Sequence, residues 1–262
     1  MTTASLHALL ENLIDYAGLF PPASLPMERA LANYDAYRRG EHSWVLGRFI
    51  VPLSKLSEVP REFPVSVLVG VDDLPMLDSS IDVIEAKASN GNDVATIAGV
   101  ARGRTVYVEV PDADLVKPIG RQGMRAKFRM GGITHDSIPA AERVARFIRE
   151  CAAERVPFKA TGGLHHPLRC TKPLTYEPHA PVATMHGFIN VFMTAALIGA
   201  VDEELLLETS PKAFSFTDDS ASWRSYSATT ALLRGVRREF AISFGSCSFE
   251  EPIAELQELG WL

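Results

Sequence analysis

Two lysines each stand shortly before a pair of glycines, in Ala-Lys-Phe-Arg-Met-Gly-Gly (126–132) and Phe-Lys-Ala-Thr-Gly-Gly-Leu (158–164). A neutral lysine amine attacks a carbonyl carbon to form a Schiff base, and burial or a neighbouring cation lowers its pKa toward that neutral form. Lys159 is the candidate nucleophile, Lys127 the neighbouring cation and Glu109 the proton shuttle. The alternative for Lys159 is a structural ion pair with Glu109. Gly162 and Gly163 let backbone N–H groups approach an anion, and they serve equally well in a tight turn with positive φ. Arg129 offers a bidentate grip on a carboxylate or phosphate.

The connection 162–183 is long enough to be an active-site lid. It carries His165, His166, Arg169 and His179. His165 or His166 supplies general acid–base chemistry near neutral pH, and Arg169 a second anion contact. Glu109 with either histidine is the one metal-compatible set, but the chain has no HxH or HExxH, and no metal or other cofactor is assigned. Gly245-Ser246-Cys247-Ser248 offers Ser246 and backbone N–H groups to a phosphate. Cys247 has no base near it in sequence and reads as a small buried residue of the same wall. His186, near a helix start, reads as structural.

These residues lie on a regular alternation of elements. Strand patterns occupy 44–52, 65–70, 81–87, 105–110, 125–130, 157–161, 213–217 and 241–247. Helical patterns occupy 93–101, 137–153, 184–201 and 222–240. Two further helices, 6–14 and 27–39, form an N-terminal extension over residues 1–40. Strands alternating with helices imply parallel βαβ units, and eight in about 250 residues is the size of a (β/α)8 TIM-type barrel. The competing fold, an open doubly wound sheet, usually carries a glycine-rich loop after its first strand, and none follows 49–53. No linker divides the chain, so a single α/β barrel domain over 1–262 is expected.

Alternation along each strand then fixes what faces the lumen. Val106, Val108 and Val110 take the outer face, which turns Thr105, Tyr107 and Glu109 inward. Ala126, Phe128 and Met130 do the same for Arg125, Lys127 and Arg129, and Phe158 and Ala160 for Lys159 and Thr161. Glu85 and Lys87 are the inward pair of 81–87. A barrel without a site fills its lumen with branched apolar residues. Five cations (Lys87, Arg125, Lys127, Arg129, Lys159) against Glu85 and Glu109 predict a basic lumen suited to a small anion.

The segment 158–164 resembles the lysine strand of class I aldolases of the deoxyribose-phosphate type, in which a Lys-Thr-small-Thr-Gly stretch holds the Schiff-base lysine. The resemblance implies lyase chemistry at Lys159, sixth in the strand count above, with Ala160 where that family has Thr. That family carries a second lysine on its seventh strand. The seventh strand in this count, 213–217, has none, and Lys127 would substitute from the other side. The segments 15–23, 158–167, 185–190 and 245–249 also resemble a bacterial TIM-barrel-like family, and this second resemblance implies no particular chemistry.

Composition narrows the remaining classes. Lys and Arg total 26 and Asp and Glu 32, a net charge of −6, which argues against a nucleic-acid surface. Hydrophobic residues make up 47% and charged residues 22%, as in ordinary globular proteins. The three cysteines, Cys151, Cys170 and Cys247, form no CxxC, and no signal-peptide pattern opens the chain, so a cytoplasmic location is expected. The apolar stretch 185–201 is too short to span a membrane and reads as a core or interface helix, leaving a homo-oligomer open. The leading expectation is a lyase or aldolase-like enzyme for a small anionic carbonyl compound. The alternatives are a metal-dependent hydrolase or isomerase using Glu85, Glu109 and the histidines, and a non-catalytic barrel that binds an anionic metabolite.

Overall fold

The computed structural model describes residues 2–101, 103–199 and 201–262. After α1 (Ala4–Leu10), strand β1 (Ile14–Tyr16) leads through α2 (Met27–Arg39) to β2 (Leu46–Pro52). Short 3-10 turns then join β2 to β3 (Val65–Val69) and β3 to β4 (Val83–Lys87). Helices α3 (Gly91–Ala98), α4 (Val116–Arg121) and α5 (Ala141–Ala153) carry the chain through β5 (Thr105–Val110) and β6 (Arg125–Arg129) to β7 (Phe158–Thr161). A two-stranded hairpin follows, β8 (Cys170–Pro173) with β9 (Val182–Met185). Next come α6 (Phe188–Ala196), α7 (Asp202–Leu206) and a three-stranded antiparallel sheet, β10 (Phe214–Phe216), β11 (Ser220–Trp223) and β12 (Tyr226–Thr229). Helix α8 (Thr230–Glu239) returns to β13 (Ala241–Ser246), and α9 (Glu250–Glu258) follows. Strands β1 to β7 and β13 pair in parallel in chain order and close on themselves, which is the expected TIM-type α/β barrel.

One of the eight expected strands lies outside the barrel, and a segment expected to be helical takes a place in it, which changes the count. The helical spacing of Leu6, Leu9, Leu10, Leu13 and Ile14 breaks at Asn12, whose φ is 49°. The residues beyond it form β1, paired on one side to β2 and on the other to β13. Residues 1–40 therefore hold a barrel strand as well as α1 and α2. Residues 213–217 contribute β10 to the antiparallel sheet, outside the barrel. Their expected helical successor, 222–240, is strand as far as Thr229, with Trp223 paired to Tyr226 across a turn at Arg224 and small residues paired beyond them. The Thr229 hydroxyl then accepts from the Leu232 N–H (3.2 Å) and starts α8. With β1 first, Lys127 lies on the sixth barrel strand and Lys159 on the seventh.

The core lies between the strands and the helical layer. Phe128 stacks on Phe147 there, Phe158 meets Phe147 edge to face, and Phe188 and Phe192 pack on Phe244. Helix α6 is buried at every position, so this part of the apolar stretch 185–201 is a core helix. The Asn190 amide is built into this interior. Its nitrogen donates to the carbonyls of Leu205 (2.8 Å) and Glu208 (2.9 Å), and its oxygen accepts from Arg169 N–H (3.0 Å). No described helix is long and apolar enough to cross a membrane.

The closing seam depends on Arg237. Its guanidinium is buried and donates to the carbonyls of Leu9 (2.8 Å), Glu11 (3.0 Å), Ala241 and Ile242. It thus ties the end of α1 to the start of β13. Arg237→Met leaves these carbonyls without their donor, so a loss of about 2–4 kcal/mol in urea-unfolding free energy is expected. A loss below about 1 kcal/mol would mean that water replaces the guanidinium at this seam.

Candidate active site

Strand register sets the site. Glu109 on β5 lies beside Lys127 on β6, and Lys127 lies beside Lys159 on β7. Their side chains, with one carboxylate from β1 and one from β4, form a chain of alternating charge across the lumen. Asp15 Oδ2 accepts from Lys159 Nζ (2.6 Å) and from Ser243 Oγ (2.8 Å), and Asp15 Oδ1 from Arg48 N–H (2.6 Å). Lys159 Nζ also donates to Glu85 Oε1, which accepts from Ser66 Oγ (2.6 Å) as well. Lys127 Nζ bridges Glu85 Oε2 (2.7 Å) and Glu109 Oε2 (3.0 Å). Glu109 Oε1 accepts from Arg129 Nε (3.1 Å), which leaves the terminal guanidinium nitrogens of Arg129 to solvent.

Asp15, Glu85, Lys159 and Lys127 are almost wholly buried, whereas the Arg129 side chain is 51% exposed. Burial alone would push a lysine amine down, but Asp15 and Glu85 outweigh it and hold Lys159 above the ordinary lysine range. Burial likewise works against the Glu85 carboxylate, and Lys127 with Lys159 outweighs it, holding Glu85 below the usual carboxylate range. Glu109 is lowered in the same way, with Lys127 and Arg129 overcoming burial. The expected depression of Lys159 by Lys127 is therefore reversed: Glu85 sits between the two ammonium groups. The expected basic lumen is corrected as well. Asp15 joins the interior, Lys87 is exposed at its strand end, and Arg125 lies at the opposite mouth, where it meets the Tyr107 hydroxyl (3.0 Å).

Two cavities flank the chain of charges. One of about 310 Å³ opens at the C-terminal ends of the strands. Lys127, Arg129, Thr161, Gly162, Gly163, His165 and Cys247 line it, together with Phe20, Ile50, Leu68 and Gly245. The other, about 450 Å³, opens at the N-terminal ends and is bordered by Asp15, Arg48, Tyr107, Arg125 and Lys159. Lys127 thus faces the mouth where barrel enzymes place their chemistry, and Lys159 faces away from it.

The paired glycines bring the two lysine strands together. Gly163 has φ 72°, and a Cβ on it would stand 2.6 Å from the Gly131 Cα. The two turns after β6 and β7 therefore touch backbone to backbone, which only glycine permits.

The expected lid is the β8–β9 hairpin, held to α9 by charge. Lys172 Nζ donates to Glu255 Oε1 (2.5 Å), and Tyr176 Oη to Glu251 Oε2 (3.2 Å). His166 Nδ1 meets Glu255 Oε1 (2.8 Å) and is turned out of the cavity. Its neighbour His165 turns in: its Nδ1 lies 4.0 Å from Cys247 Sγ and 3.5 Å from Glu251 Oε2. Arg169 and Ser246 do not line the cavity. His186 is structural in its contacts, with Nε2 2.8 Å from the Pro139 carbonyl.

Glu109 and the histidines do not form a ligand set. Among the described residues, His166, Glu251 and Glu255 come within mutual ligand reach. Lys172 already occupies the Glu255 oxygen that His166 approaches, so this trio is closed as an ion-paired cluster. Sequence reasoning missed Asp15, hidden in the helical pattern of the N-terminus. It also missed Glu251 and Tyr176, which reach the site only through the packing of α9 and the hairpin. Neither a family model nor a curated protein matches the chain.

The charge chain has a thermodynamic signature. Lys159→Met strands Asp15 and Glu85 in the lumen, at an expected cost of about 3–5 kcal/mol at neutral pH. A depressed carboxylate stabilises the fold above its unfolded pKa, about 4.3 for Glu, and that contribution is lost as pH falls. The difference between wild type and Lys159→Met, read from urea midpoints, should therefore shrink on acidification below about pH 4. A difference independent of pH would mean that the loss comes from packing.

Proposed function

We propose that this chain is a lyase-type enzyme that takes a small anionic carbonyl compound at the C-terminal mouth and holds it as a Schiff base on Lys127. The observation that carries the reading is the position of the two lysines. Lys127 borders the upper cavity, and Lys159 borders the lower one. In the corrected strand count they occupy the sixth and seventh strands. Those are the places of the Schiff-base lysine and the second lysine in the aldolase resemblance. The missing second lysine of the sequence count is thereby supplied by Lys159, and the nucleophile moves from Lys159 to Lys127.

The parts then take these roles. An anion held by Arg129 offsets part of the positive field that keeps Glu109 low; Glu109 Oε2, 3.0 Å from Lys127 Nζ, then accepts the ammonium proton and frees the amine to attack the carbonyl carbon. Loss of water gives an iminium, an electron sink for cleavage of the adjacent carbon–carbon bond. Lys159, fixed between Asp15 and Glu85, keeps a positive charge beneath the reacting amine. The terminal nitrogens of Arg129 and the Gly162–Gly163 turn receive the anionic end of the substrate. A chain of six buried or half-buried charges adds little stability over apolar packing, which is the energetic argument for a working site.

Incubation with a panel of small keto acids and phosphorylated aldehydes, followed by borohydride, should leave a reduced adduct on the peptide that contains Lys127. Lys127→Met should abolish it. An adduct mapped to Lys159, or none across the panel, would refute the assignment, and the second result with retained anion binding would favour a non-catalytic barrel.

A further inference from the structure

We propose that the lower cavity is a second binding site, for a small organic dianion whose two anionic ends rest on Arg48 and Arg125. The cavity holds about 450 Å³ at the N-terminal mouth, a volume in the range of small-molecule sites. That end of a barrel serves stability, and branched apolar side chains would serve it better than an open space. Here the strands send arginines into it. Arg125, Lys127 and Arg129 share the inward face of β6, and the lowest of them borders this cavity. Arg48 and Ile50 share the inward face of β2, and again the lower one borders it.

Charge decides the class of ligand. Arg48 Nη1 donates to the Val65 carbonyl (3.2 Å), and Arg125 Nη1 to the Tyr107 hydroxyl (3.0 Å). Among the described residues, neither guanidinium has a carboxylate within salt-bridge distance. Asp15 is the one acid in the lining, and both its oxygens are already taken. Its Oδ1 accepts from the Arg48 backbone N–H, and its Oδ2 from Lys159 and Ser243. Two guanidinium groups therefore border the space without a partner of opposite sign. At the edge of a low-dielectric interior, that favours an anion between them.

Position sets the form of the ligand. Strands β2 and β6 are four places apart in either direction round the eight-stranded barrel, so the two arginines stand on opposite walls. A ligand with an anionic group at each end meets both. Tyr107 adds a contact at the Arg125 end. Its hydroxyl accepts from Arg125 and has no acceptor of its own among the described residues. Burial raises this phenol, and Arg125 with Lys159 offsets only part of the rise, so the O–H stays protonated and available to donate. Leu46, Pro64, Val83 and Ile242 give the wall the apolar surface that suits a short carbon chain between the ends.

Glutarate is the probe, with butyrate and inorganic phosphate as controls that carry one anionic centre. Titration calorimetry at constant ionic strength should show saturable glutarate binding, at least about tenfold tighter than either control. Arg48→Gln, Arg125→Gln and Tyr107→Phe should each weaken it about tenfold, since each removes a hydrogen bond to a charged group. A second measurement needs no variant at the site. Wild-type protein is treated with phenylglyoxal, which modifies arginine, and the arginine peptides are quantified by mass spectrometry. Glutarate should protect Arg48 and Arg125, and should do so equally in Arg129→Gln. Absence of saturable binding, controls that bind as tightly as glutarate, or protection confined to Arg129 would overturn the site. The lyase reading is tested by trapping at Lys127 in the other cavity, so the two proposals fail separately.

Discussion

Everything in the lumen hangs on a requirement that each buried charge touch one of opposite sign. Asp15, Lys159, Glu85, Lys127, Glu109 and Arg129 meet it in sequence, each interior member with a partner on both sides. In a low-dielectric interior, removal of one member costs far more than the net worth of any pair, because its neighbours stay buried and unmatched. The chain thereby fixes rotamers on β1, β4, β5, β6 and β7 at once. It also runs upward, from a buried carboxylate at β1 beside the lower cavity to a half-exposed guanidinium at the C-terminal mouth.

That gradient explains why two lysines in nearly the same local sequence context have different prospects. Lys159 is gripped by two carboxylates on the lower side. Lys127 shares its carboxylates with Lys159 and Arg129 and borders the upper cavity. The two amines are alike in type, and their place in the lumen decides which cavity each borders. The same holds for the histidines. His165 and His166 are adjacent, and on an extended chain adjacent side chains diverge, so one borders the cavity and the other is consumed by Glu255.

Much of this was legible before any coordinates. Alternation in 105–110 and 125–130 placed Glu109, Lys127 and Arg129 inward, because valines and aromatics had to face the helices. The eight-unit rhythm pointed to the barrel. What stayed hidden was non-local or short. A three-residue strand such as β1 has no period of its own, and Leu13 and Ile14 continued the spacing of the preceding helix. Residues 222–229 carry Tyr226 at a helical spacing from Leu233, and only cross-strand pairing with 214–216 and 220–223 makes them strand. The missed β1 moves Lys127 and Lys159 one place along the barrel, from fifth and sixth to sixth and seventh, whereas 213–217 follows both and moves neither. Glu251 and Tyr176 could not be placed, since nothing local in 162–183 indicates that its turn folds against α9. The double glycines were visible, but their mutual backbone contact is a tertiary fact.

The three-residue β1 also bears on how the chain reaches its fold. Asp15 bonds Ser243, 228 positions later, and β1 pairs with both β2 and β13. During synthesis, the first barrel strand emerges long before the last one exists to receive it. Until β13 arrives, the Lys159 ammonium lacks a fixed partner on its β1 side, and the lumen cannot be dry. Contacts of such sequence separation form slowly, because loop closure must precede their gain. Barrel closure and charge neutralisation are thus a single late event, and a partly made chain carries an open, hydrated lumen in place of a half-built site.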